Sequence, residues 1–378
     1  MSILILGDIC PSWGNKDVFQ KGNAAEIFGD VSAELQGASF TVANLEAPVS
    51  EHGSKIVKSG VCLCCAPKDL EVLRAAPIKA LSLANNHILD YGEQGLKDTL
   101  IAASNAKIAV FGAEKDAKTA AEPFFFEAEG KHIGMLSFAE EEFNCAGSNA
   151  PGANLFDPYY SLEQITATKA QCDYLVVLYH GGIEHYEYPS PLLQKKCRAM
   201  VRAGADLVLC QHSHCIGTFE EYENASILYG QGNAVFGYSE HNESWNQGLL
   251  VSLSFDGGQP NISFRVIEAR QGGIRFASEE TNRNRLERMA EQSACLNDPT
   301  ELKKKWDAFC EAQTPEYLPE LLCWGRVGGK LNRMLKGKPV KYLISRRKKM
   351  IAMNLVRCDA HREVVRTVLE NTQKQESL

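Results

Sequence analysis

The sequence has no long apolar run, no low-complexity segment and no excess of basic residues. Since no apolar run reaches the roughly 18 residues that a membrane-spanning helix needs, we expect no spanning segment. The start, Met1 to Ile9, has no basic n-region, so we expect a cytoplasmic protein that is at most peripheral at a membrane. The net charge of −7 argues against nucleic acid as a partner.

Two common catalytic signatures are also missing. The sequence contains neither a P-loop nor a Gly-x-Ser-x-Gly nucleophile elbow. Neither ATP-driven ligation nor serine-based hydrolysis is therefore indicated, and any chemistry must come from another set of side chains.

Cysteine, by contrast, is abundant, with thirteen residues. Disulfide frameworks belong mainly to short secreted chains, so in a chain of this length we expect reduced thiols. The cluster of Cys62, Cys64 and Cys65 admits two interpretations: a soft-metal site, or buried thiols in a strand over residues 57–66 that precedes a helix from Pro67 to Ala75. We favour packing, because cysteine is among the residues most often buried.

The composition is that of an ordinary soluble globular protein, with 44% hydrophobic and 23% charged residues. The length favours one large domain with an appendage. Short apolar strands alternate with helical segments over residues 1–275, which predicts an α/β domain. From 276 to 378 the pattern becomes helical, so we expect a helical, basic C-terminal extension.

Polar side chains follow five of the predicted strands, at the point where each strand ends. In open α/β sheets such strand ends meet at one edge and form the ligand site. A single histidine or asparagine there would usually serve the fold or cap a helix, but five such ends in one chain indicate a shared site. The residues are Asp8, Glu46, Asn85 with Asn86 and His87, His180, and His212 with His214.

Six of these side chains have the chemistry of metal ligands. Two carboxylates, one amide oxygen and three imidazoles suit Mn²⁺, Fe²⁺ or Zn²⁺ better than Ca²⁺ or Mg²⁺. They are too many for one tetrahedral ion and fit two divalent ions that share a carboxylate, the arrangement common to phosphoester hydrolases. His87 remains to protonate a leaving oxygen or to stabilise the transition state. The six are Asp8, Glu46, Asn86, His180, His212 and His214.

The order of these motifs resembles that of one protein family. Over residues 3–240 the order is similar to that of the CapA family of poly-γ-glutamate capsule-synthesis proteins, which is related to calcineurin-like metallophosphoesterases. The resemblance implies a four-layer αββα sandwich of two mixed sheets with a di-metal site at the strand ends. The motifs are Gly7-Asp8, Asn44-Leu45-Glu46, Ala84 to His87 with Asp90-Tyr91-Gly92, His180 to Glu184, Gly204-Ala205-Asp206, and His212-Ser213-His214 followed by Gly232-Asn233.

The resemblance also implies a role for each residue. Glu46 corresponds to the bridging carboxylate, where Asp is more usual, and His87 to the catalytic histidine. Asp8 and His214 would complete the shell of one ion, and Asn86, His180 and His212 that of the other. The candidates for contacts with substrate or with these ligands are Cys10, Asn44, Asn85, Glu184 and Asn233.

Cys10 marks a departure from the related enzymes. The chain has Asp8-Ile9-Cys10 where a typical metallophosphoesterase has Asp-x-His. Cys10 either ligates a metal as a thiolate or packs in the core, and we favour packing. The first ion would then be held by fewer ligands.

The segment 326–349 carries ten Lys and Arg residues and no acid. Such a run is usually a solvated face. Interleaved Leu331, Met334, Leu335, Tyr342, Leu343 and Ile344 give it an amphipathic pattern, so the alternative is an anionic partner: membrane phospholipid, an acidic polymer or nucleic acid.

Three functions remain open from the sequence. The first is a di-metal hydrolase acting on an anionic small-molecule or polymer substrate. The second is an accessory protein that keeps the metal-site fold and binds a polyanionic polymer or a membrane without turnover. The third, suggested only by the resemblance, is an enzyme acting on γ-glutamyl amide bonds. The oligomeric state is left open.

Overall fold

The computed structural model describes residues 2–11, 13–51, 53–335 and 337–376. Contacts divide the chain into two compact units, one ending at Leu302 and the other beginning at Lys303. Within the described ranges no helix is both long and apolar enough to cross a membrane.

The elements follow the predicted alternation. In chain order the strands are β1 (Ile3–Ile9), β2 (Phe40–Leu45), β3 (Ala80–Ser82), β4 (Ala109–Phe111), β5 (Ala113–Glu114), β6 (Phe124–Ala128), β7 (Lys131–Ala139), β8 (Gly152–Ala153), β9 (Tyr174–His180), β10 (Leu207–Gln211), β11 (Phe219–Tyr222), β12 (Ala225–Leu228), β13 (Asn233–Val235), β14 (Gln247–Asp256), β15 (Gln259–Arg270) and β16 (Gly273–Phe276). The helices are α1 (Lys16–Lys21), α2 (Ala24–Phe28), α3 (Val31–Gly37), α4 (Pro67–Ala75), α5 (Gly92–Ala106), α6 (Ala117–Ala120), α7 (Ser161–Lys169), α8 (Pro191–Arg202), α9 (Glu279–Ser293), α10 (Pro299–Leu321), α11 (Gly325–Met334), α12 (Lys338–Leu343), α13 (Arg346–Arg357) and α14 (Asp359–Glu376).

The larger unit contains two mixed sheets. The first has the order β16-β15-β14-β1-β2-β3-β4, with β13 also paired to β1. In it β1 to β4 run parallel, while β14 to β16 are antiparallel to their neighbours. The second sheet has the order β11-β12-β10-β9-β7-β6, in which β12, β10, β9 and β7 run parallel. Parallel neighbours bring their carboxyl ends to the same edge of each sheet.

The central strands are buried on both faces, which explains their continuous apolar sequences. In β1, Ile3 and Ile5 pack into the core between the two sheets, whereas Leu4 and Leu6 pack under the helices outside the first sheet. In β9 the residues alternate in the same way between the inter-sheet core and the core under α7 and α8. These three cores confirm the predicted four-layer αββα sandwich.

Close backbone approach shapes the edge that carries the polar residues. A Cβ on Gly7 would lie 2.3 Å from the carbonyl oxygen of Gly232, and Gly232 itself has φ of 73°. The glycine before Asp8 and the glycine before Asn233 therefore let β1 and β13 come together, which pairs Asp8 with Asn233 in register.

The strand predicted over residues 57–66 does not form. Apart from a single bridge at Cys65, the backbone of this segment bonds to loop partners: Leu63 N donates to Asp90 Oδ2 at 2.7 Å and Cys65 N to Pro48 O at 3.0 Å. The helix predicted from Pro67 to Ala75 is present as α4.

The sequence pattern predicts a domain boundary at residue 275, whereas the two compact units of the structure meet 27 residues later, after Leu302. The structure groups residues 276–302 with the larger unit, because α9 bonds to its sheets. Asn282 Oδ1 accepts from Val266 N at 2.8 Å, and Ser293 Oγ accepts from Phe219 N at 2.9 Å. Leu296 is buried beside α8 residues. These contacts are long-range, and helical periodicity gives no sign of them.

Candidate metal centre

Two buried carboxylates form the base of the site. Asp8 lies near the end of β1, where the register against β2 shifts, and Glu46 directly follows β2. Asp8 is held by two donors: Asn44 Nδ2 at 2.8 Å from Oδ1, and His212 N at 3.0 Å from Oδ2. Glu46 differs, because both of its side-chain oxygens are buried and neither has a hydrogen-bond partner among the described residues.

Burial makes both carboxylates difficult to ionise. It raises the pKa of Glu46 to about 8. Burial, reinforced by the charge of Glu46, raises the pKa of Asp8 to about 7. A buried carboxylate without a partner is energetically costly, and a cation between these two groups would relieve that cost.

Three imidazoles face the same carboxylates. His180 Nε2 lies 3.5 Å from Glu46 Oε1 and 3.1 Å from Asn86 Oδ1. His214 Nε2 lies 3.7 Å from the same Glu46 oxygen. Burial lowers the pKa of His180 to about 4 and that of His212 to about 3, and it lowers the pKa of His214 well below its ordinary value. The rings are therefore neutral near pH 7, which is the form that binds metals.

The ligand atoms fall into two groups that share Glu46. One group is Asp8, Glu46 and His214, the other is Glu46, His180 and His212, and within each group the atoms lie within 4.8 Å of one another. The groups have the same membership as the two ligand sets that the family resemblance implies, and Asn86 adjoins the second through His180. Buried mixed oxygen and nitrogen donors at this spacing fit a divalent transition metal ion.

Two of the histidines adopt an unusual backbone. His212 has φ of 86° and His214 has φ of 51°, in the left-handed region that non-glycine residues seldom occupy. Such conformations cost free energy and concentrate at functional sites. Here they form the turn that directs both rings toward Glu46 and the His212 N–H toward Asp8.

His87 is fixed differently. Its Nδ1 donates to Asp90 Oδ2 at 2.6 Å, and its Nε2 lies 3.9 Å from Glu46 Oε1. Asp90 also accepts from Lys58 Nζ at 2.6 Å, and the Lys58 side chain is only 2% exposed. The imidazole is therefore held at one nitrogen, while the other faces the metal groups.

The neighbouring amides position the ligands. Asn85 donates to Leu45 O at 2.8 Å and accepts from His87 N at 3.1 Å, so it fixes the loop that carries Asn86 and His87. Asn233 Oδ1 accepts from His214 Nδ1 at 2.9 Å, which leaves Nε2 of His214 with the lone pair that a metal requires. Asn44 joins Asp8 to His180, with Nδ2 3.3 Å from His180 Nδ1.

Two candidate residues lie apart from the ligand groups. Cys10 is buried in the apolar core outside the first sheet, and the metal groups found among the described residues do not include it. Glu184 is exposed, yet its charge contributes to the raised pKa of Glu46, which places it at the rim.

Sequence reasoning missed three residues around the centre. Lys58 lies in a loop without regular structure, and its contact with Asp90 spans 32 residues of sequence. Glu142 follows β7, another strand end, and burial raises its pKa.

Glu140 also follows β7. It accepts from Tyr179 OH at 2.7 Å, Lys196 Nζ at 2.6 Å and Gly182 N at 3.1 Å, and so fixes the loop after His180. Glu140 and Glu142 follow the end of a strand, as the predicted ligands do, so the same sequence pattern could have indicated them. No sequence pattern indicates Lys58.

Known proteins share this sequence pattern. The capsule biosynthesis protein CapA of Bacillus anthracis is 27% identical over 300 residues, which cover 76% of this chain and 72% of that protein. The PGA biosynthesis protein CapA of Bacillus subtilis is 29% identical over 240 residues, covering 62% of this chain and 63% of its own length. Among solved structures, a phosphatase from Mycoplasma pneumoniae aligns with 71% of this chain and 93% of its own, at 15% identity and a TM-score of 0.44.

A family profile described as "Bacterial capsule synthesis protein PGA_cap" matches residues 2–238, which include all six candidate ligands and His87. The chain therefore belongs to the bacterial capsule synthesis protein PGA_cap family.

Proposed function

We propose that the chain is a metal-dependent hydrolase of the metallophosphoesterase type, which acts on a phosphoester or on a substrate linked to an acidic polymer during capsule synthesis. The observation that carries the proposal is Glu46, whose two buried oxygens have no hydrogen-bond partner among the described residues. Neutral imidazoles surround it, and a divalent ion is the group that satisfies such a set of donors.

The residues of the two groups would hold the ions. Asp8, Glu46 and His214 would bind one, and Glu46, Asn86, His180 and His212 the other. The donors suit Mn²⁺, Fe²⁺ or Zn²⁺, and manganese is the first to test. When bound, such ions act as Lewis acids that polarise a phosphoryl oxygen.

His87 supplies the proton in this proposal. Asp90 holds its Nδ1 and thereby fixes the direction of Nε2, which faces the centre from 3.9 Å away from Glu46. From this position Nε2 can protonate the oxygen of the leaving group. Lys58 neutralises Asp90 and keeps the pair in place.

A second candidate is a polymer-binding accessory protein without turnover. It is favoured by the position of Cys10, which lies in the apolar core where related enzymes have a histidine near the metal. The first group then offers three ligands. Such an ion would be held less tightly than one with a histidine at the position of Cys10, and loss of that ion would leave a site that binds without turnover.

The test is a hydrolysis assay on the full chain, purified under reducing conditions because its cysteine content supports a cytoplasmic site of action. The chain is loaded with Mn²⁺ and offered a phosphomonoester, a phosphodiester and poly-γ-glutamate. The hydrolase proposal requires metal-dependent turnover of a phosphoester that His87→Ala abolishes. Cleavage of the polymer alone would favour an amide-bond enzyme, and metal-dependent polymer binding without any cleavage would favour the accessory role.

A further inference from the structure

Helix α11 presents an apolar stripe to solvent. At 100° per residue, Val327, Leu331 and Met334 lie on one face of the helix. They are 83%, 50% and 78% exposed. Exposed apolar side chains that align over two turns differ from scattered ones, because together they form a continuous surface that is favourable to cover.

Basic side chains occur on the same helix and at the start of α13. The exposed Lys330 lies next to the stripe on α11, whereas Arg333 lies farther round the helix and its Nη1 pairs with Glu316 Oε2 at 2.9 Å. Helix α13 begins with the exposed residues Arg346, Arg347 and Lys348. The whole segment 326–349 contains ten basic residues and no acid, although the chain as a whole carries −7. Lys336 lies outside the described residues, as do the side chains of Arg326, Lys341, Tyr342 and Leu343.

We propose that α11 and the start of α13 bind the surface of an anionic lipid bilayer. A short basic helix with an exposed apolar face fits the plane between lipid headgroups and acyl chains, where the stripe is buried and the cations meet lipid phosphates. The phosphates of a nucleic acid would pair with the Lys and Arg side chains but would leave the apolar stripe exposed to solvent. A second copy of the segment would bring like charges together, since the segment contains no acid.

Co-sedimentation of the full chain with vesicles tests this. One vesicle is phosphatidylcholine, and the other contains about 30% phosphatidylglycerol. Two variants each remove one component of the surface: Leu331→Gln with Met334→Gln removes the stripe without a change of charge, and Arg346→Gln with Arg347→Gln and Lys348→Gln removes charge. The matched controls are Leu192→Gln, at another exposed apolar residue, and Lys115→Gln with Lys118→Gln and Lys195→Gln, at exposed lysines of the larger unit.

We expect binding to the anionic vesicles to exceed binding to the neutral ones by about tenfold or more, and each variant to lose most of that binding while the controls keep it. Circular dichroism checks the helices, and Val327→Gln with Met334→Gln replaces the stripe variant if its helix content falls. Equal binding to both vesicles, equal loss in the controls, or retention on a DNA oligonucleotide with none on vesicles would each overturn the proposal.

Discussion

The metal-free protein should lose stability as the pH rises from 6.5 to 8. The carboxyls of Asp8 and Glu46 have pKa values of about 7 and 8 in the fold, against ordinary values of 3.8 and 4.5. At pH 6.5 the unfolded chain has already released both protons, whereas the folded protein still holds most of them and releases them as the pH rises to 8. A raised pKa of an acid therefore stabilises the fold at low pH, and that stability is lost as the pH passes through 7 and 8.

The histidines oppose this loss in the lower part of the window. Burial lowers the folded pKa of His180, His212 and His214 from the ordinary value of 6.5, so at pH 6.5 the unfolded chain is still about half protonated at these residues, and its loss of those protons up to about pH 7.5 raises the free energy of unfolding by roughly 1 kcal/mol in total. The two carboxyls lower it by roughly 2 kcal/mol over the same window, so a net fall of about 1 kcal/mol is expected.

Urea unfolding in the presence of a chelator, repeated between pH 6.5 and 8, measures how the free energy of unfolding changes with pH. Glu46→Gln should remove most or all of this fall, because Glu46 has the higher pKa and holds its proton over more of the window, and because its charge contributes to the raised pKa of Asp8. Saturating Mn²⁺ should reverse it, because an ion bound to ionised carboxylates displaces their protons. A metal-free stability that is flat or rises over the window, with the same behaviour in Glu46→Gln, would refute the electrostatic reasoning.

The remaining predictions concern individual side chains. His180→Ala or His212→Ala should lower both bound Mn²⁺ and its stabilising effect in a thermal melt, whereas His241→Ala, at an exposed position, should change neither. His87→Ala should keep the metal and lose about 10²-fold or more in turnover, and joint loss of metal and rate would instead make His87 a ligand. Asp90→Asn should lower kcat with little change in metal content, since it removes the group that fixes His87 Nδ1; unchanged kcat would show that the orientation is set elsewhere.

The sequence predicted the layers and the site edge because both depend on local patterns. Alternate residues of β1 enter two cores, so its apolar run is continuous. Parallel strands bring Asp8 and Glu46 to the carboxyl edge of the first sheet and His180 to that of the second, whereas the sequence pattern predicted a single sheet edge. The metal-ligand roles and the functional boundary at 275 remain predictions. The loop that carries Lys58 could not be placed, since its position depends on hydrogen bonds to Asp90, which lies far along the chain.

The positions of α9 and of residues 57–66 also depend on contacts with residues far along the chain, which the local sequence does not reveal. The packing of α9 against both sheets depends on single side chains such as Asn282 and Ser293, which carry no periodic signal. Residues 57–66 contain residue types that favour a strand, but their backbone bonds to Asp90 and Pro48 in other loops, and the local sequence does not specify these partners.

The most direct measurement of the central claim is the metal content of the chain after equilibrium dialysis against Mn²⁺, by elemental analysis, for the wild type and for Glu46→Gln. If Glu46 is the ligand shared by both groups, the wild type should retain about two ions per chain and the variant fewer than about one. A wild type that retains no ion, or a Glu46→Gln variant that retains as many as the wild type, would contradict the account.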